Sequence, residues 1–288
     1  MSEREENIKA RQVRIQKRKS DELADELVKS AERKVEDAEK EEKWKKWREE
    51  ISKQMELERT IEAASDTNLW TSALFQNGDV VEFRCIAKPG GVIENKWAVY
   101  GADFENVLQG IRERQGSPAK YTIFMGTNPR KAKGLAGDKN ITLARSLYVD
   151  FDTDLQGNDG CSFDQAILRI RDVNLPPASM VVATPRGVHA YWLLDEPLTN
   201  MQQFTAYQLW LISKLGTDKT IHNPERIMRV PGFECQKRPG KNAHLIDCEV
   251  DMRYSLDEFE ALKKGAELDN ALGLQIKTPW VWAPGIGD

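Results

Sequence analysis

The chain has 288 residues, of which 40% are hydrophobic and 31% charged, and its formal net charge is −4 at pH 7. This length allows one substantial domain with an appendage, and the negative charge excludes binding of nucleic acid through a global positive field. No run of about 18 apolar residues and no apolar N-terminal core are present, so we expect neither a membrane span nor a secretory signal. The four scattered cysteines fit neither a zinc knuckle nor a disulfide framework, which predicts reduced thiols in the cytoplasm.

Residues 1–64 differ in composition from the rest of the chain. They contain no Pro or Gly, are rich in Glu, Lys, Arg and Ala, and carry nearly equal numbers of acidic and basic residues. Because good helix formers dominate while apolar residues recur too sparsely for a coiled-coil seam, we predict a long charged helical arm. The arm is solvated or docked on a partner; the basic residues through Lys19 leave contact with phosphate as the lesser alternative.

Residues 65–265 have the composition of a globular α+β domain. β-Branched and aromatic runs predict strands at 79–87, 121–126, 146–152, 180–184, 189–194 and 243–250. Helical spacing of apolar residues predicts helices at 103–115, 163–173, 200–215 and 255–265. This order favours a mainly antiparallel sheet flanked by helices. Residues 266–288 are interpreted as a C-terminal tail containing Trp and Pro.

Asp150 and Asp152 close the strand predicted at 146–152. Alternate residues share one face of a strand, so the two carboxylates point the same way, about 6–7 Å apart. Carboxylate oxygens in this arrangement suit one or two hard divalent cations. An acidic turn is an equally good explanation, since Asp154 and Asp159 follow closely.

A second polar segment, Thr184 to His189, lies between two predicted strands. Gly187 allows close approach of a ligand to the backbone or a positive φ angle. His189 begins the next strand and, with Arg186, is suited to donate hydrogen bonds to phosphate oxygens. The alternative is that His189 is a hydrogen-bonded core residue, which a lone histidine on an apolar strand usually is.

A third segment follows the helix predicted at 200–215. Asp218 precedes Arg226 and Arg229, whose spacing places them on one side of a helical turn, and Lys237 comes after them. Guanidinium groups so placed could grip phosphate or Asp218. Surface ion pairs and an ordinary Pro-Gly turn explain the same residues.

A basic loop precedes the acidic strand. It contains Arg130, Lys131 and Lys133. Clustered basic residues near a metal site can guide a nucleic acid or a triphosphate, and they can equally belong to a polar loop without a partner.

Taken in order, these segments resemble the archaeo-eukaryotic primase superfamily, particularly the primase-polymerase domains of phages and plasmids. The family's hhhDhD strand is matched by LYVDFD, its S-G-x-G-x-H-like turn by TPRGVHAYW, and its later Asp, R-x-x-R-x-P-G and Lys by TDKTIHNPERIMRVPGFECQK. VEFRCIA and IFMGTNPR are also similar to the family, and the resemblance spans roughly residues 72–250. Thr184-Pro185 stand where the family has Ser-Gly, so the donors of this loop differ.

The resemblance implies a role for each matched residue. Asp150, Asp152 and Asp218 would bind the metal, Mg²⁺ or Mn²⁺. His189 would contact the phosphates of the incoming nucleotide. The supporting phosphate contacts would be Thr184, Arg186, Arg226, Arg229 and Lys237.

The implied function is template-dependent nucleotidyl transfer by a DNA primase or primase-polymerase of a mobile element. Its partners would be a single-stranded DNA template across the open face of the sheet, an NTP or dNTP, and a replicative helicase reached through the N-terminal arm. Two alternatives remain: a catalytically weak replication initiator or DNA-binding module on the same fold, and a DxD metal-dependent transferase or nuclease.

Overall fold

The computed structural model describes residues 42, 45–47, 49–54, 58, 60–87, 91–116, 120–153, 161–172 and 175–271. Predictions for residues 1–41 and for the tail at 272–288 lie outside the described residues. The chain divides into two compact units, Met1–Arg59 and Thr60–Asp288. In the first unit, the described residues are helical and exposed to solvent.

The second unit contains a layered α+β fold. In chain order its elements are α1 (60–74), β1 (Val80–Ala87), β2 (Ile93–Val99), α2 (Phe104–Gln115), β3 (Tyr121–Gly126), β4 (Ala144–Asp152), α3 (Phe163–Asp172), β5 (Met180–Thr184), β6 (Gly187–Leu198), α4 (Met201–Leu215), β7 (Ile227–Arg229), β8 (Glu234–Cys235), β9 (Arg238–Asn242), β10 (His244–Cys248), β11 (Arg253–Tyr254) and α5 (Leu256–Ala271). Every element predicted between 65 and 265 is present. α5 continues past its predicted end at 265, and the polar strand β2 and the short strands β7, β8, β9 and β11 were not predicted.

Helix α1 belongs to the core of the second unit. The sequence predicted no helix between the charged arm and the first strand at 79–87, yet residues 65–74 are helical. Trp70 of α1 is fully buried and its ring lies 5.9 Å from that of Tyr191 on β6. The hydroxyl of Thr67 donates to the carbonyl of Pro231 at 2.6 Å. These contacts join α1 to β6 and to the segment after β7.

The first sheet has the strand order β2-β1-β3-β7, and each pair is antiparallel. Helix α2 covers one face, where the rings of Phe83 and Phe104 lie 5.5 Å apart. Val81 and Cys85 lie on the same side of β1 as Phe83 and are also buried. The other face of this sheet therefore carries the alternate residues of each strand.

The second sheet places β6 between β5 and β4, with β10 beyond β5. All these pairs are antiparallel, and the short strand β11 adds to β6 in parallel. Leu147, Val149 and Phe151 are fully buried on one face of β4, which leaves the alternate residues on the other face. The predicted mainly antiparallel α+β architecture is confirmed.

None of the described helices has the length and apolarity needed to cross a bilayer. All four cysteines are free thiols.

Candidate active site

The pairing of β4 with β6 brings the acidic strand end beside the histidine. In the antiparallel register, Asp150 lies opposite His189 and Asp152 lies opposite Gly187. Directly opposed residues share a face of the sheet, so both carboxylates and the imidazole point to the same side. The side chains of Asp150 and Asp152 are 24% and 34% exposed, so a ligand can reach them.

His189 is a neutral hydrogen-bond donor. Burial, and to a smaller extent the positive charge of Arg229, lower the pKa of His189 to about 3, so the imidazole is uncharged at neutral pH. Burial raises the pKa of Tyr191, which keeps its hydroxyl protonated, and that hydroxyl lies 3.4 Å from Nδ1. When Tyr191 donates to Nδ1, Nε2 carries the proton. Nε2 lies 3.6 Å from Asp150 Oδ1, too far for a direct hydrogen bond.

The loop between β5 and β6 fits tightly against β4. A Cβ on Gly187 would lie 1.7 Å from the carbonyl oxygen of Phe151, so glycine is needed here for strand packing. Of the two predicted reasons for Gly187, the positive φ is wrong, since its φ is not positive; close approach of a ligand to this backbone stays a prediction. The guanidinium of Arg186 donates to Asp152 at 3.0 Å, and Thr184 accepts the backbone N–H of Arg186 at 3.3 Å.

Asp218 reaches the same region through its backbone. Its N–H donates to the carbonyl of Asp150 at 3.3 Å, and its carboxylate accepts the N–H of Thr220 at 2.8 Å. The third predicted acid is therefore adjacent to β4. Over the described part of the chain, no three His, Cys, Asp or Glu side chains converge closely enough to enclose a metal ion.

Gln208 on α4 ties the acidic strand to the segment that carries Asp218. Its fully buried amide accepts the N–H of Tyr148 at 3.0 Å and donates to the carbonyl of Tyr148 at 3.0 Å. The same nitrogen lies 3.2 Å from the carbonyl of Ile221. Gln208 thus hydrogen-bonds the backbone N–H and C=O of Tyr148, on the edge of β4 that faces away from β6 and two residues before Asp150. Sequence reasoning missed it; a glutamine within the apolar face of α4 was the available signal.

Arg226 directly precedes β7 and Arg229 ends it, so the prediction that they share one side of a helical turn is wrong. Arg226 donates to the carbonyl of Thr220, and the guanidinium carbon of Arg229 lies 5.6 Å from the ring centroid of Phe124. The Nε atoms of both arginines are enclosed, and no acceptor for either exists among the described residues. Ordered water or an anionic ligand can satisfy such donors.

Lys237 lies at the opposite end of β3 from Arg226. It is exposed in the turn between β8 and β9, where the N–H of the neighbouring Gln236 donates to Thr122 at 3.2 Å. The other end of β3 meets Arg226, whose carbonyl accepts the N–H of Thr127 at 3.1 Å. The structure therefore separates Lys237 from Arg226, with which the resemblance grouped it.

The three residues of the basic loop differ in exposure. Arg130 is buried and donates to the buried carboxylate of Glu82 at 2.5 Å, so it does not present charge to a nucleic acid. Its burial argues against the predicted DNA contact, and nothing in the sequence indicates this burial, because the sequence does not show that Glu82 faces inward from β1. Lys131 is exposed, and Lys133 is half-exposed and pairs with Asp103 at 2.5 Å.

No family model and no curated protein matches this sequence. Among solved structures, the chain is similar to the AEP domain of the primase-polymerase PrimPol of cyanophage S-2L, with a TM-score of 0.52 and 18% identity over 69% of this chain and 96% of that one. It is also similar to primase RepB′, with a TM-score of 0.50 and 11% identity over 74% of this chain and 66% of that one. The catalytic domain of RepB′ in complex with initiator DNA gives a TM-score of 0.48 and 14% identity over 74% of this chain and 99% of that one. At these identities the similarity concerns the fold: the chain has an archaeo-eukaryotic primase-type fold.

Proposed function

We propose that this protein is a DNA primase-type nucleotidyltransferase that acts on a single-stranded DNA template. The observation that carries the proposal is the register of β4 with β6 within a primase-type fold. It places the reachable carboxylates of Asp150 and Asp152 on one face with the N–H of His189. Carboxylates and a neutral imidazole donor are the groups that a nucleoside triphosphate and its metal require.

The donor set fits a hard divalent cation. Asp150, Asp152 and Asp218 supply only carboxylate oxygens, which Mg²⁺ and Mn²⁺ accept. Asp150 and Asp152 on one face of β4 would hold the ion together with Asp218, whose carboxylate does not converge with theirs among the described residues. When bound, it would lower the pKa of the attacking 3′-hydroxyl and neutralise charge on the α-phosphate and the leaving pyrophosphate.

The remaining groups would bind and orient the triphosphate. His189 donates through Nε2, and because it is neutral it binds a phosphate oxygen without pairing permanently with Asp150. Arg229 and Arg226 each bring an enclosed Nε donor that has no acceptor among the described residues. Arg186 offsets the charge of Asp152 and, with Thr184, lines the same loop. Lys237 also remains a proposed phosphate contact. We rank it below the arginines because it lies near Thr122, at the opposite end of β3 from Arg226.

The biological setting is also proposed from the resemblance and the fold. The template would be single-stranded DNA, with Lys131 and Lys133 near its path, and the substrate an NTP or dNTP. A replicative helicase would act in trans through the charged N-terminal arm, and the gene would belong to a mobile element.

The test is incorporation of labelled nucleotide on single-stranded DNA with Mg²⁺ or Mn²⁺, with and without a primer. We expect the wild type to make product and Asp150→Asn/Asp152→Asn to make none, because the amides weaken metal binding. Asp195→Asn is the matched control, since it changes an exposed acid elsewhere on β6. Product without a primer identifies a primase; equal activity in the double variant refutes the proposal.

A catalytically weak replication initiator or DNA-binding module is the second candidate. It is favoured by the absence of three converging metal ligands in the part of the chain that the structure describes. Retained oligonucleotide binding without product under any metal or nucleotide would select it. Sugar-nucleotide turnover or template degradation would instead support the DxD transferase or nuclease.

A further inference from the structure

The face of the first sheet opposite α2 carries an aromatic ring between two arginines. The strand register places Asn95 of β2 beside Arg84 of β1, Arg84 beside Phe124 of β3, and Phe124 beside Arg229 of β7. These four side chains form one row across the sheet. Since neighbouring strands lie about 4.8 Å apart, the row is about 15 Å long.

The row is open to solvent at its centre. Phe124 and Arg229 are partly exposed, and Asn95 is exposed. The adjacent row adds apolar surface, because Ile86 lies opposite Ile93, which is 58% exposed. An aromatic ring with apolar neighbours is thus presented on a sheet face that also bears cations.

Buried charges hold Arg84 in place on this face. Its Nε donates to Glu82 Oε1 at 2.7 Å, and its Nη2 donates to Glu82 Oε2 at 3.3 Å. Glu82 is fully buried and shared with Arg130, so Arg84 is the partly exposed member of the group. A long side chain fixed in this way loses little conformational entropy when it binds a ligand.

The positive charge on this face comes from Arg229. Arg84 and Arg130 lie within 4.0 Å of the carboxylates of Glu82 and Glu225, so these four charges balance, and Arg229 adds one positive charge. At its Arg229 end the row reaches β7, which follows in the chain the segment whose Asp218 N–H donates to the carbonyl of Asp150 at 3.3 Å.

We infer that this face binds single-stranded DNA, with one base stacked on Phe124 and the flanking phosphates near Arg84 and Arg229. Stacking on an aromatic ring beside basic groups is a general way of binding single strands, because every base has a π face. Bases of duplex DNA would not stack on the ring of Phe124, because they already stack on one another. The inference rests on the proposed function for the identity of the strand as the template.

The first test measures the affinity for fluorescently labelled oligothymidylate by anisotropy, without nucleotide or divalent metal. Phe124→Leu keeps an apolar side chain but removes the π face, and we expect it to weaken binding about tenfold. Phe124→Tyr keeps the ring and should bind within about twofold of wild type. Thermal unfolding of each variant shows that the sheet is intact.

The second test measures how the same affinity depends on salt. Arg84→Gln should lower the slope of log K against log salt by about 0.7, the value for one phosphate contact on a single strand. Arg114→Gln is the matched control, because Arg114 is an exposed arginine on α2, where it pairs with Glu94. Its slope should stay at the wild-type value.

The outcomes separate this inference from the proposed function. Asp150→Asn/Asp152→Asn should bind the oligonucleotide at least as tightly as wild type while incorporating no nucleotide. Binding that depends on Phe124 and Arg84 in a protein that makes no product supports the inference and refutes the proposed function. Unchanged affinity in Phe124→Leu together with an unchanged salt slope in Arg84→Gln overturns the inference, whatever the activity.

Discussion

Two polar clusters in this protein use the same residue types in opposite ways. On β4 and β6, the carboxylates of Asp150 and Asp152 stay 24% and 34% exposed at a strand end. On β1, the carboxylate of Glu82 is completely enclosed and shared by Arg84 and Arg130. The first cluster is available to a ligand, whereas the Glu82–Arg130 pair of the second is enclosed and holds the sheet and its loop together, with Arg84 as its partly exposed member. Charge alone therefore does not identify a site, because the degree of enclosure decides which charged groups a ligand can reach.

Removing Arg130 should produce the largest loss of stability. Arg130→Met leaves the buried carboxylate of Glu82 with only Arg84 as a partner, and breaking a buried pair typically lowers the free energy of unfolding by about 3–5 kcal/mol. Urea unfolding measures this change. The exposed neighbour provides the control, Lys131→Met, for which we expect a change within about 0.5 kcal/mol.

The same two variants test whether Arg130 has a structural role or contacts DNA. If Arg130→Met kept wild-type stability but weakened oligonucleotide binding, Arg130 would be a DNA contact and the cluster on β1 would be a functional one. Combining Arg130→Met with Glu82→Gln should restore part of the lost stability, because the unpaired buried charge is removed.

Gly232 should produce the next largest effect. It has a φ of +85°, and a Cβ there would lie 1.9 Å from the carbonyl oxygen of Ala63 on α1. Gly232→Ala should therefore lower the free energy of unfolding by about 2–4 kcal/mol, from backbone strain together with overpacking. Gly134→Ala is the matched control: its φ is +81°, but its Cβ would meet nothing within 4 Å.

For Gly134→Ala we expect only the strain of the backbone, about 1–2 kcal/mol. The difference between the two glycine variants in thermal or urea unfolding isolates the contact with α1. Equal losses would show that helix α1 does not pack against Gly232 in solution.

Gln208→Glu should lower stability by about 1–3 kcal/mol, because it replaces an amide donor by a carboxylate facing the carbonyls of Tyr148 and Ile221. If Gln208 also positions Asp150 and Asp218, kcat for incorporation should fall more than KM rises. Gln202→Glu, on the exposed start of α4, is the control for the charge change. Loss of stability with unchanged kcat would limit Gln208 to a structural role.

The smallest effect concerns pH. Burial raises the pKa of Asp66 on α1, which also accepts the N–H of Leu245 at 3.0 Å. The folded protein therefore binds the proton more tightly than the unfolded chain, and its stability falls as pH rises from the unfolded value of 3.8 through the raised folded pKa.

Asp66→Asn removes this titration. We expect the variant to be more stable than wild type at pH 7, by no more than about 0.5 kcal/mol because solvent reaches the carboxylate, and the gain should vanish below pH 4. Urea unfolding at pH 4 and pH 7 tests both parts. A gain that grows as pH falls would contradict the direction of the shift.

The strands and helices of the second unit were largely readable from sequence. β3 and β5 begin and end where their β-branched and aromatic runs predict. At the start of α5 the N–H of Ser255 donates to Glu258 at 3.1 Å, a contact that a Ser with a Glu three residues later favours. These features depend on neighbours a few residues apart, so the local sequence determines them. The order of the acidic strand, the histidine turn and the arginine segment likewise predicted the primase-type fold.

The tertiary structure decided which polar residues are enclosed. Arg130 and Asp150 look equally available in the sequence, yet Arg130 meets Glu82 from a strand 48 residues away and is buried, whereas the carboxylate of Asp150 stays 24% exposed. Glycine is likewise required at Gly187 because β4 packs against it, and at Gly232 because α1 does; both elements are distant in the sequence from the glycine that they contact. Burial and hydrogen bonding of a side chain depend on the elements that pack around it, and no local pattern records which elements those are.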